Sequence, residues 1–416
     1  MPTKSIFTTF TGLHKAGSPL DLLATWRKTF DKASEREVAL FQKMYTDGWF
    51  TYNTPQMSLT AEAIVGKYHI RFMATLLGDE SPSPLRRSDG FDVWTKEIPR
   101  VGQTFVMFAR DYRKLMEVYE NPRLKEADKV KQIEKTLTHQ MQDAYLGCKD
   151  VMDFIVLMAF SNWGVAQFVP AINNPGGRAY EVDYTMPDAN KLVSVLNWTT
   201  ANTKAGKLNP ILFLSVLCAA LRARGIEPGE ILMSQELATW LRMDSTTRLL
   251  AHGTDKQAQT VTKSEFSALL EENEIPPITV IQRKMGISPD GKRQAIEPWN
   301  PNFIAIKPAG VIGEIQPAIE DSELIEEENV DYLNAGNGIR ISKWRTGAST
   351  GQTAGEYTEG AGRLLPLITE IGQIVCLQVR GIEEKEVAAD ANGTTTYYRT
   401  KADYDAAVAA ASLETV

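Results

Sequence analysis

The feature that most constrains this chain is an apolar repeat running from about Pro122 to about Phe160. Val130, Ile133, Leu137, Met141, Ala144, Cys148, Val151, Ile155 and Met158 recur in steps of three and four. That spacing keeps one face of a helix apolar without interruption. It predicts a single helix of roughly 38 residues, about 57 Å long at about 1.5 Å per residue. An ordinary globular helix has about a third of that length, so the rest of the molecule has to be organised around a rod. The first half of the rod carries Lys125, Lys129, Lys131 and Lys135, whereas its end, "VMDFIVLMAF", is almost wholly apolar and belongs inside. Lysines so placed fit either a solvated face or a surface that meets something anionic.

There is ample material around that rod. The 416 residues, 43% of them hydrophobic, allow two or three packed units at about 150 residues each. Cys148, Cys218 and Cys376 are far apart, and the last two sit in the apolar runs "LSVLCAAL" and "IGQIVCLQV". Buried thiols in a reducing compartment are expected, not a disulfide framework. The start, "MPTKSIFTTFTGLHKAGS", lacks the basic residues and apolar run of a secretion signal. No stretch reaches the roughly 18 apolar residues of a membrane span, so a soluble cytoplasmic product with no membrane partner is expected. The formal charge of -7 weighs against a dominant nucleic-acid surface but leaves room for a local basic strip.

Just before the rod, "GFDVWTKEIPRVGQTFVMFA" (90–109) reads as a hairpin whose two strands turn at Pro99, Arg100, Val101 and Gly102. Phe91 and Val93 fall on one face of its first arm, Trp94 and Ile98 on the other. Neither face is polar, and a lone two-stranded ribbon is marginal in water. The sequence offers no adjacent strand to extend it. Phe91, Trp94, Ile98, Pro99, Arg100, Phe105 and Phe108 are therefore expected to lie on a second copy of the same chain.

Towards the N-terminus, Ser18-Pro19 has the form of a helix N-cap followed by proline, and Leu22, Leu23, Trp26 and Phe30 follow at helical spacing. A further helix is expected from Leu59 to Leu77, then an exposed linker in "GDESPSPLRRSDG". From Gly176 the texture changes. "AYEVDY" and "GEILMS" read as strands, and Asn209 to Gly225 as a helix capped by Asn209 and opened by Pro210. Ser234 to Ala251 reads as another helix, followed by "EFSALLEEN" and the strand "PPITVIQRKMGI", giving a mixed α/β unit. Residues 302–382 are strand-rich, in "NFIAIKP", "GIRISKW" and "PLITEIGQIVCLQVRG". The glycines and threonines of "RTGASTGQTAGEYTEGAGR" predict a surface loop between them. The tail after Lys385 is expected to be weakly ordered.

Motifs for chemistry are weak. "GISPDGKR" has the spacing of a phosphate-cradling loop up to Lys292, but Pro289 removes a donor and Arg293 stands where a metal-holding hydroxyl is needed. Strand, Pro-Asp-Gly turn, strand is the better reading. His14, His69, His139 and His252 show no metal-ligand spacing. Ser234 reads as a helix N-cap and not as a nucleophile. The acidic run "EDSELIEEEN" lacks the alternate ligands and central glycine of a calcium loop and reads as a solvated surface.

The order of parts, a hairpin, a long helix, a mixed α/β unit and returning strands, resembles the major capsid proteins of tailed phages, the Hong Kong 97-type fold. The likeness is strongest to the branch containing the lambda major head protein, through "DVWTKEIPRVGQTFVMFARDYRKLMEVYENP", "LLEENEIPPITVI" and "GRLLPLITEIGQIVCLQV". It implies an α+β, Hong Kong 97-like phage capsid fold. Its parts would be an N-terminal arm or helical region (1–84), an extended E-loop hairpin (85–112) and the spine helix of a peripheral domain (113–177). A mixed α/β axial domain (178–340), C-terminal strands returning to the peripheral domain (341–385) and a tail (386–416) would follow. The resemblance further implies a structural protein, not an enzyme, with no cofactor, that self-assembles into pentamers and hexamers around a double-stranded DNA genome. Portal, scaffold or decoration proteins would be its other partners, and the virion its location after assembly in the host bacterial cytoplasm. Lys125, Lys129, Lys131 and Lys135 would then face DNA without sequence readout. An encapsulin-type or other phage shell protein shares this fold class, and a nucleotide-binding α/β enzyme is the remote alternative.

Overall fold

The computed structural model describes residues 14–15, 18–19, 43–65, 92–254, 259–289, 292–346, 354–383 and 397–413. The rod is present as a 35-residue helix, α2 (Glu126–Phe160), preceded by a 12-residue helix, α1 (Ala109–Glu120). The break between them follows from Pro122, because the residue before a proline is disfavoured in helical conformation. Asn121 is extended there, and its side-chain oxygen accepts from the Arg123 N–H at 2.9 Å. Val130, Ile133, Met141, Ala144, Cys148, Met152, Ile155 and Phe160 on α2 are each 3% exposed or less. Burying a large apolar side chain contributes roughly 1.5–3 kcal/mol, and this stripe fastens the rod to the sheet beneath it.

The hairpin expected over 90–109 does not form. Strand β1 (Thr60–Val65) pairs antiparallel with β2 (Asp92–Glu97), placing Ala63 opposite Trp94. The next strand, β3 (Arg100–Phe108), leaves the ribbon and lies along a strand from the far end of the chain, with Arg100 opposite Arg363 and Phe108 opposite Gly355. Pro99 and Val101 are buried at this crossing, so Pro99–Gly102 is a corner and not a ribbon tip. The helix expected from Leu59 is likewise a strand over its first described residues: Ala61 and Ala63 are buried while Glu62 is exposed, a period of two. The remainder of that helix, the linker and Phe91 lie outside the described residues.

β3 belongs to a six-stranded sheet with β4 (Gly313–Ala318), β5 (Ile339–Thr346), β6 (Gly355–Leu367), Phe50–Tyr52 and Asp331–Gly336. The 13-residue β6 is its centre: β5 and then β4 pair along one edge, and β3 along the other. Residues 355–363 of β6 were expected in a loop because of their glycines. Those glycines serve a close approach instead. A Cβ on Gly360 would stand 2.5 Å from the Ala144 carbonyl oxygen on α2, and one on Gly147 would stand 1.7 Å from the Gln103 side chain. Gln103 in turn donates its side-chain N–H to the Asp143 carbonyl at 2.6 Å, so α2 and the sheet touch nearly backbone to backbone.

A second unit has its own core. Its sheet runs Ile278–Ile281, Glu230–Ser234, Phe303–Lys307, Val375–Gln378, Lys191–Ser194, Tyr398–Thr400. The helix Pro210–Ala223 packs there as expected: the Asn209 side chain accepts from the Leu212 N–H, Pro210 opens the helix and Gly225 follows it at φ 82°. Trp198, fully buried, meets Phe213 edge to face at 5.4 Å between ring centroids. The helix expected from Ser234 to Ala251 is two, Gln235–Met243 and Ser245–His252, because Asp244 caps the second and accepts from the Thr246 N–H. "PPITVIQRKMGI" is also two strands, Ile278–Ile281 and Met285–Ile287.

Two readings at the ends of the chain are corrected. Ser18–Pro19 forms a two-residue strand opposite His14–Lys15, not a helix start. In the tail, Tyr398–Thr400 adds a strand to the second sheet and Lys401–Leu413 is a helix. Cys148, Cys218 and Cys376 are free and buried, and burial pushes their thiols up to about 12, 11 and 12 respectively.

Candidate assembly surface

The ribbon β1–β2 is rooted in its own chain. Trp94 stacks on Tyr184 and donates its indole N–H to the Asp183 carbonyl at 2.8 Å. The Tyr180 hydroxyl donates to the Glu97 carbonyl at 2.6 Å, and Arg178 pairs with the Glu97 carboxylate at 3.3 Å. Burial, with Glu97 nearby, pushes the Tyr180 phenol up to about 12. An open cleft of about 570 Å³ lies at this root, lined by Thr60, Thr95, Lys96, Glu97, Arg178 and Tyr180 among others. Trp94 and Ile98, 8% and 0% exposed, are core residues of this chain, and their expected place on an outer face is corrected. The outer face of the ribbon instead presents Glu62, Val93 and Thr95. Pro99 is buried, Phe105 half-buried and Phe108 exposed.

Arg100 is half-exposed and reaches into the acidic run. Its Nε donates to Glu320 at 2.6 Å and its terminal nitrogen to Glu359 at 3.2 Å. Glu320 is 1% exposed, so the run is not wholly a solvated surface. Arg363 pairs with Asp321 at 2.7 Å, and Arg340 pairs with Glu326 while donating to the Ser322 carbonyl. Arginines on three strands of the sheet, β3, β5 and β6, thereby hold this segment.

On α2, the lysines are less available than their spacing suggested. Lys129 donates to the Tyr119 carbonyl at 2.7 Å, closing α1 against α2. Lys125 and Lys131 are exposed, but Glu126 and Asp128 alternate with them. The side chain of Lys135 lies outside the described residues. Further along, Asp153 is fully buried and accepts from the Tyr45 and Thr46 N–H groups and the Thr46 hydroxyl, at 2.7 to 3.2 Å. Arg283, 4% exposed, pairs with Asp153 at 3.3 Å and with Asp150. Burial raises both carboxylates, Asp150 to about 6, against the pull of Arg283. Lys149 pairs with Asp47 at 2.6 Å. This cluster ties residues 45–47, the rod and the chain following Ile281 into one piece. Sequence reasoning missed it, since its members are single charges on unrelated segments. The one available signal was Lys149, Asp150 and Asp153 inside an otherwise apolar half-helix.

The phosphate-loop spacing builds no such loop. Met285–Ile287 pairs antiparallel with Gln294–Ile296, so a strand, not a helix, follows Lys292. Among the described residues no cluster of three or more histidine, cysteine or acidic side chains is placed to hold a metal ion. Nor is any helix among them long and apolar enough to cross a membrane.

No protein-family model matches this sequence, and no curated protein does. Solved structures do. A prophage protein from E. coli CFT073, assigned as a capsid protein, aligns over 85% of this chain and 98% of its own, with a TM-score of 0.50 at 13% identity. A phage-related protein from Bordetella bronchiseptica RB50 aligns over 87% and 97%, with a TM-score of 0.42 at 10% identity. The capsid of Myoviridae phage XM1 aligns over 84% and 98%, with a TM-score of 0.38 at 9% identity. The first of these likenesses shows that the chain shares the fold of that prophage protein.

Proposed function

We propose that this chain is the major capsid protein of a tailed phage, built on the Hong Kong 97-type fold. The observation that carries the proposal is the fold shared with the prophage capsid protein over nearly that protein's whole length. In this reading the β1–β2 ribbon is the E-loop, α2 is the spine of the peripheral domain, and the second unit is the axial domain. The described arms of the E-loop are then β1 and β2, so its first arm is Thr60–Val65 and not a strand within 85–112. It is held at its root by Trp94, and its outer face with Val93 at 56% exposed is free to lie on a neighbour.

The subunit's work is then self-association, into pentamers and hexamers that close a shell around double-stranded DNA. A projecting ribbon lets each copy reach the next, so that weak contacts are made mutually around a ring. Contact between α2 and the genome is weak and sequence-independent, because Lys129 is engaged and acids interrupt the strip. Portal, scaffold or decoration proteins complete the virion in which the protein resides.

Expression of the protein, alone and with its neighbouring head genes, followed by electron microscopy tests the reading. Closed shells or capsomers containing DNA support it. Shells that carry an enzyme in place of a genome would favour an encapsulin-type particle.

A further inference from the structure

We infer that copies of this chain meet head to tail through an acidic apolar patch at one end of strand β3 and a basic apolar patch at the other. The inference rests on the shell-protein reading above and names the partner surfaces within it. At the Arg100 end, Leu324 and Ile325 stand side by side at 56% and 79% exposed. Glu323, Glu327 and Glu328 around them are exposed and make no ion pair among the described residues. Their neighbours Asp321 and Glu326 are held by Arg363 and Arg340, so the patch is fixed before any partner arrives.

At the other end, Phe108 is 48% exposed. At the start of α1 come Arg110 and Arg113, exposed, also without an ion pair among the described residues, and three apart on one helix face. The acid between them, Asp111, is already taken by Lys114 at 3.4 Å.

Each patch lacks what the other offers: two aliphatic side chains ringed by exposed carboxylates, and an aromatic ring beside two exposed guanidinium groups. They do not meet within one chain, since the eight steps from Arg100 to Phe108 span about 26 Å at about 3.3 Å per residue. A contact between unlike patches on identical subunits is heterologous, the kind that closes rings. A buried aromatic flanked by charge pairs is also the usual make-up of an interface anchor. The basic patch alone would suit a polyanion, but the aliphatic acidic patch calls for a cationic, apolar partner, and Phe108 with its arginines supplies one.

Charge reversal tests this in the assembling protein. Glu323→Lys with Glu327→Lys, and separately Arg110→Glu with Arg113→Glu, should each lower particle yield by about tenfold or more. Combining all four should restore it to within about twofold, since charges brought together across an interface couple strongly. Wild-type yield from either pair of reversals, or no rescue on combining them, overturns the inference. So does a basic reversal that only lowers packaged DNA while shells form normally, which would assign that patch to nucleic acid.

A second measurement separates this inference from the shell reading. In Phe108→Cys with Ile325→Cys, oxidation of concentrated protein should give a ladder of disulfide-linked oligomers on a non-reducing gel, with the native thiols buried and silent. A ladder without shells supports the contact and removes the shell reading. Shells without a ladder remove the contact and leave the shell reading standing.

Discussion

Trp94 stacks on Tyr184 with ring centroids 5.3 Å apart and planes 15° from parallel. That contact joins the β1–β2 ribbon to the body of its own chain and assigns Trp94 to folding. Trp94→Ala should cost about 3–5 kcal/mol, the range for emptying a buried aromatic site. Val93→Ser, on the exposed face of the same strand, should leave stability within about 0.5 kcal/mol while impairing assembly. Thermal unfolding of the unassembled subunit distinguishes the two, and unchanged melting of the Trp94 variant would contradict this placement.

Gly360→Ala should destabilise the subunit although it adds only a methyl group. The new Cβ would stand 2.5 Å from the Ala144 carbonyl oxygen, a backbone atom of the rod. Either α2 or β6 must move, and overpacking of this kind costs typically about 1–3 kcal/mol. Urea unfolding measures it. Gly48→Ala, where a side chain meets nothing within 4 Å and the backbone has no positive φ, is the control for open space.

Asp153→Ala should be among the most damaging single changes. It strips the acceptor from Tyr45, Thr46 and Arg283 at once and leaves a guanidinium 4% exposed without that partner. Breaking one side of a buried ion pair costs about 3–5 kcal/mol. Limited proteolysis should show cleavage near residues 43–49 before global unfolding, as this segment loses its hold on α2.

A buried pair on the sheet gives a pH signature. Lys343 on β5 and Glu356 on β6 are 2% and 3% exposed and lie 3.0 Å apart. Burial lowers the Lys343 amine to about 8 from its ordinary 10.5, outweighing the attraction of Glu356. Between those values the unfolded chain holds a proton that the folded chain has released, so the Lys343 contribution to stability rises with pH across the window, against the fall that the buried thiols bring above about pH 9. Below it the cost of burying the charge is carried in full. Lys343→Met with Glu356→Leu should flatten the rise and leave stability at pH 7 equal or higher, as read from melting temperatures between pH 7 and 10.

How much of this was legible depended on how local the cause was. α2 was readable because its apolar residues repeat within one element, and the helix from Pro210 because Asn209, Pro210 and Gly225 mark its ends. The ribbon was misread because consecutive strands usually pair with each other. Here β2 turns back to β1, and β3 pairs with residues 247 to 263 positions later. Gly355, Gly360 and Gly362 carried the signature of a loop, and only the rod lying over them explains why a central strand needs them. In the acidic run, nothing in the sequence marked Glu320 as buried, because Arg100 and Arg363 reach it from distant strands.

The central claim is that this chain builds a closed shell. Electron cryomicroscopy of the protein assembled in cells tests it most directly. The expected result is closed particles of fivefold and sixfold capsomers, with the β1–β2 ribbon of each subunit resting on its neighbour. Monodisperse monomers at high concentration, with and without scaffold and portal proteins, would contradict it.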